Sequence, residues 1–282
     1  MQEQYYEERG YLDTDYRVFH ISDIPKREVP PHYHDFAKIF VLISGSVHYN
    51  IEGREYELNP YDIVLVNAGE IHRPVPIDGE KYERIIIYIS TEFMEKYREY
   101  GLSKCFDKCN KEGEHVIRHR AGDNSSVAVK INELTDKVCS QYESWNLLQK
   151  CRLVEYLVLL NNIAASRSVR YIEPVSHNEN TIAIMKYIND NLTAPLCIDD
   201  IASAVHLNRS YLMHCFKAET GYTIKEYITE KRLFLAGGLM KKNISMTEVC
   251  YKSGFTNYSS FYRAYVEKYG HSPKQKGKEN EI

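Results

Sequence analysis

The chain has 282 residues, enough for two domains at ~100–200 residues each, with 43% apolar and 27% charged residues and a formal net charge of −3. That composition excludes a disordered chain, a collagen and a membrane-spanning bundle. The most apolar stretch, Leu153 to Ala165, is broken by Glu155, Tyr156, Asn161 and Asn162 and falls short of the ~20 apolar residues a span needs. The N-terminal MQEQYYEERGYLDTDY is acidic and lacks the basic-then-apolar order of a signal peptide, so a cytoplasmic location is expected.

From about residue 16 to 90, short apolar runs alternate with turns. Lys38–Ile43, Val47–Ile51, Arg54–Leu58, Asp62–Val66, Ile71–Val75 and Arg84–Ile89 read as strands, separated by Ser44-Gly45-Ser46, Glu52-Gly53, Asn59-Pro60 and Ala68-Gly69. Strands this short and evenly spaced predict an antiparallel β-barrel or jelly roll. Thr91–Tyr100 then reads as a short helix with Thr91 as its N-cap, and residues 101–124 as irregular. Ser126–Tyr142 and Leu147–Arg167 read as two helices. The second carries Leu148, Cys151, Leu153, Val154, Leu157, Val158, Leu160 and Asn161, an apolar surface wider than one stripe. Such a helix is either core or a partner interface, and it is the candidate for a homodimer contact. The polar stretch around Pro174 marks a boundary. The expected organisation is α+β: a β domain over 1–124, a helical dimerisation segment over 125–173 and an all-α domain over 174–282.

The all-α part contains an internal repeat. Ile198, Ile201, Ala202 and Leu207 recur 48 residues later as Met246, Val249, Cys250 and Phe255. The offset then becomes 49, pairing Leu212 with Phe261, Phe216 with Tyr265 and Gly221 with Gly270. Each copy reads helix, tight turn, helix, and Ile224–Lys241 reads as a helix joining the copies. A helix-turn-helix needs a small residue where its helices cross, a residue tolerant of left-handed φ in the turn, and apolar inner faces. Cys250, Gly254, and Val249, Phe255, Phe261 and Tyr265 meet these needs in the second copy. Ser245 and Glu248 have the spacing of a capping box. In the first copy Ala202 is at the crossing, His206 at the turn and Asn208 at the N-cap of the second helix. From residue 174 onward there are 14 Lys and Arg against 11 Asp and Glu, a net of +3, which leaves 22 against 28, a net of −6, for the rest. A basic half of this kind points weakly to nucleic acid.

At these residues the chain resembles a known family. IASAVHLNRSYLMHCFKAETG, YITEKRL and SMTEVCYKSGFTNYSSFYRAYVEKYGHSP, within Thr181 to Pro273, are similar to the DNA-binding region of AraC/XylS-type transcriptional regulators. HYHDFAKIFVLISG and NPYDIVLVNAGEIHR resemble, less specifically, that family's cupin-like effector domain. The resemblance implies two recognition helices entering adjacent major-groove segments of double-stranded DNA. It places Ser210, Met213 and His214 of the first, and Ser259, Ser260 and Arg263 of the second, toward the bases. Arg263 can bridge two acceptors of one guanine or contact a phosphate, while Met213 offers apolar contact only. Asn208, Arg209, Lys217 and Asn257 are expected at phosphates or helix ends. Lys274, Lys276 and Lys278 read as a solvated tail. Gly237-Gly238 interrupt the joining helix, at ~1 kcal/mol each against Ala, and predict a bend there. The family's sugar-sensing members make a carbohydrate or sugar acid the expected effector, and RNA polymerase a partner if the protein activates.

Tyr33, His34, Lys38, His72, Arg73 and Tyr88 are the candidate effector-binding residues at the barrel mouth; Lys38 and Arg73 suit an anion. Cupin enzymes hold a metal with H-x-H, a Glu four residues on and a later His. Here His32, His34 and His72 are present, but the Glu position is Lys38, which repels a divalent ion while protonated. No metal, no cofactor and no catalytic residue is therefore expected. A metal-dependent cupin enzyme with a tethered DNA-binding domain is the alternative, and a regulator using its β domain only to dimerise is a third reading. The seven cysteines are expected as free thiols. Cys105, Cys109, His115 and His119 read C-x3-C-x5-H-x3-H, with a middle gap shorter than the ~12-residue spacing of zinc fingers.

Overall fold

The computed structural model describes residues 12, 14–24, 28–77, 79–118, 124–136, 143–166, 170–242 and 244–273. The chain is α+β and divides into two units, Met1–His177 and Asn178–Ile282. Among the described residues no helix is long and apolar enough to cross a membrane.

Among the described residues the first unit is built on ten strands: β1 (Tyr16–Asp23), β2 (Ala37–Ser44), β3 (Val47–Ile51), β4 (Arg54–Leu58), β5 (Ile63–Val66), β6 (His72–Pro76), β7 (Tyr82–Ile89), β8 (Val116–Arg118), β9 (Arg170–Tyr171) and β10 (Ser176–His177). One sheet runs β1-β7-β2-β5-β8-β9 and the other β10-β4-β3-β6, with every pairing antiparallel. Side-chain alternation along β2 explains its unbroken apolar run KIFVLI. Phe40 and Leu42 face the second sheet and pack with Tyr49, Tyr56, Val64, Val66, Ile86 and Tyr88. Ile39 and Val41 face the other way and pack with Ile63, Leu65, Ile85 and Ile87 under helical residues. The larger sheet is thus covered on both faces. The two sheets do not close into the expected barrel. Their outermost strands β9 and β10 are two residues long and pair only with β8 and β4, so the ladder stops there.

The turn joining β3 to β4 is a two-residue hairpin in which both Glu52 and Gly53 have positive φ (47° and 78°), the pattern of a type I′ turn. Glu52 is kept there by a second use: its carboxylate accepts the Ile71 N–H at 2.7 Å, next to β6.

Helix α1 (Thr91–Lys96) is capped by Ser90, not by Thr91. Ser90 has extended backbone angles and accepts the Phe93 N–H at 3.0 Å, whereas Thr91 is already helical and donates its hydroxyl to Asp35 O. A 3-10 turn (Arg98–Tyr100) follows. The stretch from 101, expected to be irregular, holds a second 3-10 turn (Lys104–Phe106), α2 (Asp107–Glu112) and β8. Then come α3 (Asn124–Thr135), where a helix over 126–142 was expected, and α4 (Trp145–Ala165). Residues 137–142 lie outside those described. Leu153, Tyr156, Leu157, Leu160 and Ala164 of α4 are buried against the sheet, while Leu147, Leu148, Cys151 and Val158 are exposed.

One ion pair holds β8 in place. Arg118 forks onto the Asp62 carboxylate (Nε to Oδ1 2.8 Å) and also reaches Glu57 O. Asp62 is buried, and its other bond, from Asn59 N at 2.7 Å, closes the turn before β5.

The second unit is all-α: α5 (Glu179–Asp190), α6 (Ile198–Ala204), α7 (Arg209–Thr220), α8 (Ile224–Met240), α9 (Met246–Lys252) and α10 (Tyr258–Tyr269). The joining helix α8 runs unbroken through Gly237 and Gly238, where an added Cβ would meet nothing within 4 Å. Its N-terminus carries a full capping box, Thr223 with Glu226.

Arg118→Met leaves the buried Asp62 carboxylate without its cation. It is expected to lower unfolding free energy by about 3 kcal/mol, read as a lower urea midpoint at unchanged slope. Adding Asp62→Asn should recover part of the loss.

Candidate nucleic-acid interface and effector site

The two helix-turn-helix units are assembled in the same way. In the first, Cys197 caps α6, the turn residue His206 takes φ 56°, and Leu207 N donates to Ala202 O at 2.9 Å. In the second, Ser245 caps α9, Gly254 takes φ 92°, and Phe255 N donates to Cys250 O at 3.1 Å. Asn208 and Asn257 cap the second helices by accepting the N–H three residues on, each at 2.8 Å. Both of those helices end on a left-handed glycine, Gly221 and Gly270. Leu212 and Phe216 of α7, and Phe261 and Tyr265 of α10, are buried. The box expected at Ser245 is only half made. Ser245 accepts the Glu248 N–H, but the Glu248 carboxylate turns to Lys252 at 2.7 Å.

The outer faces of α7 and α10 are open. Ser210, Met213, His214 and Lys217 are exposed at i, i+3, i+4 and i+7, along a groove of about 470 Å³ completed by Ile198, Thr223 and Lys225. Ser259 and Arg263 are exposed one turn apart on α10, with Arg263 Nε lying 3.4 Å from Ser259 O. Ser260 is half-buried. Arg209 opens α7 at its N-terminal end, and its guanidinium clasps Asp199 of α6 at 2.8 and 3.0 Å, bracing the two helices. Asn208 and Asn257 spend their side-chain oxygens on capping. Lys274, Lys276 and Lys278 lie outside the described residues. Sequence reasoning passed over Tyr262. The 49-residue offset that pairs Leu212 with Phe261 makes Tyr262 the counterpart of Met213, and both are exposed. Tyr211 is exposed as well.

In the first unit, four of the six proposed effector residues come together between the sheets. The β2–β7 register sets Lys38 opposite Tyr88, with Lys38 Nζ 5.8 Å from that ring's centre and 3.4 Å from His72 Nε2. His34 stacks on Phe36 (centroids 4.4 Å apart) and lies 5.1 Å from His72 and 5.5 Å from Tyr88. His34, Lys38, His72 and Tyr88 are each 1% exposed. An isolated bridge between His32 and His72 brings His32 to the same cluster, and Tyr49 stacks on His72. Neither His32 nor Tyr49 was among the effector candidates. The period of two along β3 and β6 was the available signal. That same period separates Arg73 from His72: burial alternates along β6, and Arg73 is half-buried on the other face. Tyr33 is half-buried in the segment before β2.

Burial, and then the nearby Lys38, hold His34 and His72 well below the ordinary imidazole range. His72 Nδ1 sits 2.9 Å from Glu70 O; if it donates there, Nε2 is left to accept. Among the described residues both ring nitrogens of His34 lack a hydrogen-bond partner. His32, His34 and His72 offer nitrogens within 4.8 Å of one another. The donor set nonetheless does not fit a divalent ion, because the amine of Lys38 sits at His72 Nε2, the lone pair that an ion would need. Cys109 and His115, from the other possible metal cluster, both point to Leu65 O, at 3.8 and 3.2 Å. Burial pushes the Cys105 thiol up to about 12 and raises the Cys109 thiol as well. His119 and Cys139 lie outside the described residues; the six described cysteines are free thiols.

Residues 201–278 match the family model of a helix-turn-helix domain, and residues 16–120 match that of an AraC-like ligand binding domain. The chain is 21% identical over 253 residues to the HTH-type transcriptional activator RhaS of Escherichia coli, covering 89% of this chain and 88% of that protein. It is 22% identical over 245 residues to the uncharacterized HTH-type transcriptional regulator YfiF of Bacillus subtilis, covering 86% and 76%. The crystal structure of ToxT from Vibrio cholerae aligns with 93% of this chain and 98% of its own at 17% identity, with a TM-score of 0.38.

The depressed imidazoles set a pH dependence. Unfolded, His34 and His72 take up protons near pH 6.5; folded, they stay neutral well below it. Their neutral burial costs nothing in protonation above pH 6.5, and stability is lost as pH falls below that value. The melting temperature is expected to drop between pH 7 and pH 5, less steeply in His34→Gln. A midpoint flat across that range would contradict it.

Proposed function

This chain belongs to the AraC/XylS family of transcriptional regulators, and we propose that its two helix-turn-helix heads read adjacent major-groove segments of double-stranded DNA under control of a small polar effector held in the sandwich. It is a ligand-responsive regulator and not an enzyme. The observation that carries the DNA reading is the duplicated architecture. Two helices with identical caps and inward residues at equivalent positions leave their opposite faces exposed. Arg263 is assigned to a guanine, where its fork is worth ~1–3 kcal/mol of discrimination. Ser210, Met213, His214, Ser259 and Ser260, joined by Tyr262, complete the reading faces, and Lys217 contacts phosphate.

The effector reading rests on Lys38, a cation inside an aromatic-lined sandwich beside His34 and His72. That chemistry suits a carboxylate, so a sugar acid is favoured among carbohydrates. Effector control requires the ligand to bind two states of the protein with different affinity. The exposed stripe of α4 is assigned to a homodimer, the site of action to the cytoplasm, and RNA polymerase to the partners if the protein activates. One observation favours a second reading: the cluster around Lys38 is almost fully buried, as expected if the β unit admits no ligand and only dimerises.

Selection of bound duplexes from a random pool, with and without sugars and sugar acids, tests the whole reading. Arg263→Ala is expected to flatten base preference at one position, by about 5- to 150-fold, with an unchanged salt slope. A slope reduced by about one with preference intact would make Arg263 a phosphate contact. A sugar acid is expected to raise the melting temperature of the wild type but not of Lys38→Met. No shift with any acid supports the dimerisation-only reading.

A further inference from the structure

We infer that Arg232 is a positioning residue that locks the two reading heads against each other and so sets the half-site spacing the protein accepts; this rests on the two-headed DNA reading above. Arg232 sits midway along α8, the helix that joins the heads. Its Nε donates to Leu192 O at 2.9 Å and its Nη2 to Ala194 O at 2.8 Å. Both carbonyls belong to the turn between α5 and α6, part of the first head. That turn is itself held: Asn191 caps α5, its side chain donates to Tyr187 O, and Ala194 N donates to Asn191 O at 3.0 Å.

The second head meets the same spot. Gly254, in the turn between α9 and α10, lies so close that an added Cβ would be 2.4 Å from Leu192 O, 2.8 Å from Arg232 Nε and 3.0 Å from the Thr193 Cα. Glycine is therefore demanded twice, by its positive φ and by the backbone of the other head. The repeat supplies an internal comparison. His206 occupies the equivalent turn position of the first head with φ 56°, and its side chain is exposed. The left-handed turn by itself tolerates a side chain; the closeness of the heads does not.

The contact matters because of what lies beyond it on α8. Gly237 and Gly238 weaken that helix between Arg232 and the second head, and nothing packs where their side chains would be. A recognition helix displaced relative to its twin reads bases in a shifted register, since the groove advances ~3.4 Å per base pair. Arg232 and the close approach at Gly254 bypass the glycine pair by fixing first head to second head directly. Burial lowers the Arg232 guanidinium from its ordinary value.

The test uses the full chain and duplexes recovered by selection with wild type, remade with one base pair added or removed between half-sites, and with either half-site scrambled. Wild type is expected to favour the selected spacing. In Arg232→Met and Gly254→Asn the affinity ratio of selected to shifted spacing should fall by about tenfold, the scale of a lost charge-assisted hydrogen bond. Base preference within each half-site should persist, Arg232→Lys should restore part of the ratio, and His206→Gly should leave it intact. A folded Arg232→Met that keeps the wild-type ratio overturns the inference, as does one that loses binding to each half-site equally, which would make Arg232 a folding residue. Wild type that binds one half-site as tightly as two would instead overturn the two-headed reading beneath it.

Discussion

A backbone hydrogen bond made twice underlies this protein's contact with DNA. Leu207 N to Ala202 O, and Phe255 N to Cys250 O, each close a turn over a left-handed residue. Closing that turn forces two helices to cross at close range. The crossing admits only a small residue, met here by alanine once and cysteine once. The same closure turns Leu212 and Phe216, or Phe261 and Tyr265, into the interior and leaves the far side of the second helix exposed. The polar outer face is thus a consequence of the turn. Base-reading side chains can vary on it without cost to the fold.

The β unit solves a different problem. Its larger sheet is buried on both faces, by helices on one side and by the second sheet on the other. Its interior strands therefore carry little besides apolar residues, which makes the lysine in the middle of one of them conspicuous. A buried amine among imidazoles and a tyrosine ring is expensive unless it does something. The same side chain sits 3.4 Å from His72 Nε2, beside the three clustered histidines.

How much of this was legible in the sequence depended on how local the cause was. The central strands were readable as short apolar runs between turn residues, and the second helices of the repeat from caps and glycine stops. The margins were not. β8, β9 and β10 are two or three residues long, too short for any period to show, and they form where β5, β8 and β4 offer a strand to pair with. Thr91 was taken for a cap because Ser90 and Thr91 are chemically alike; only the backbone angles separate them. Arg209 stands at a helix end, but its partner Asp199, ten residues away, is visible only in the folded chain.

The chain's own order of residues determined that there are two reading heads, a β unit before them, and a lysine where a cupin enzyme keeps a carboxylate. Period, capping and turn chemistry act over a few residues and leave their trace in the letters. The tertiary structure alone decided that His32 joins His72's cluster, that the sheets stay open, and that Arg232 meets a carbonyl 40 residues back in the chain. These depend on which distant surfaces share a few ångströms of space, and a hydrogen bond across such a distance has no counterpart in any local pattern.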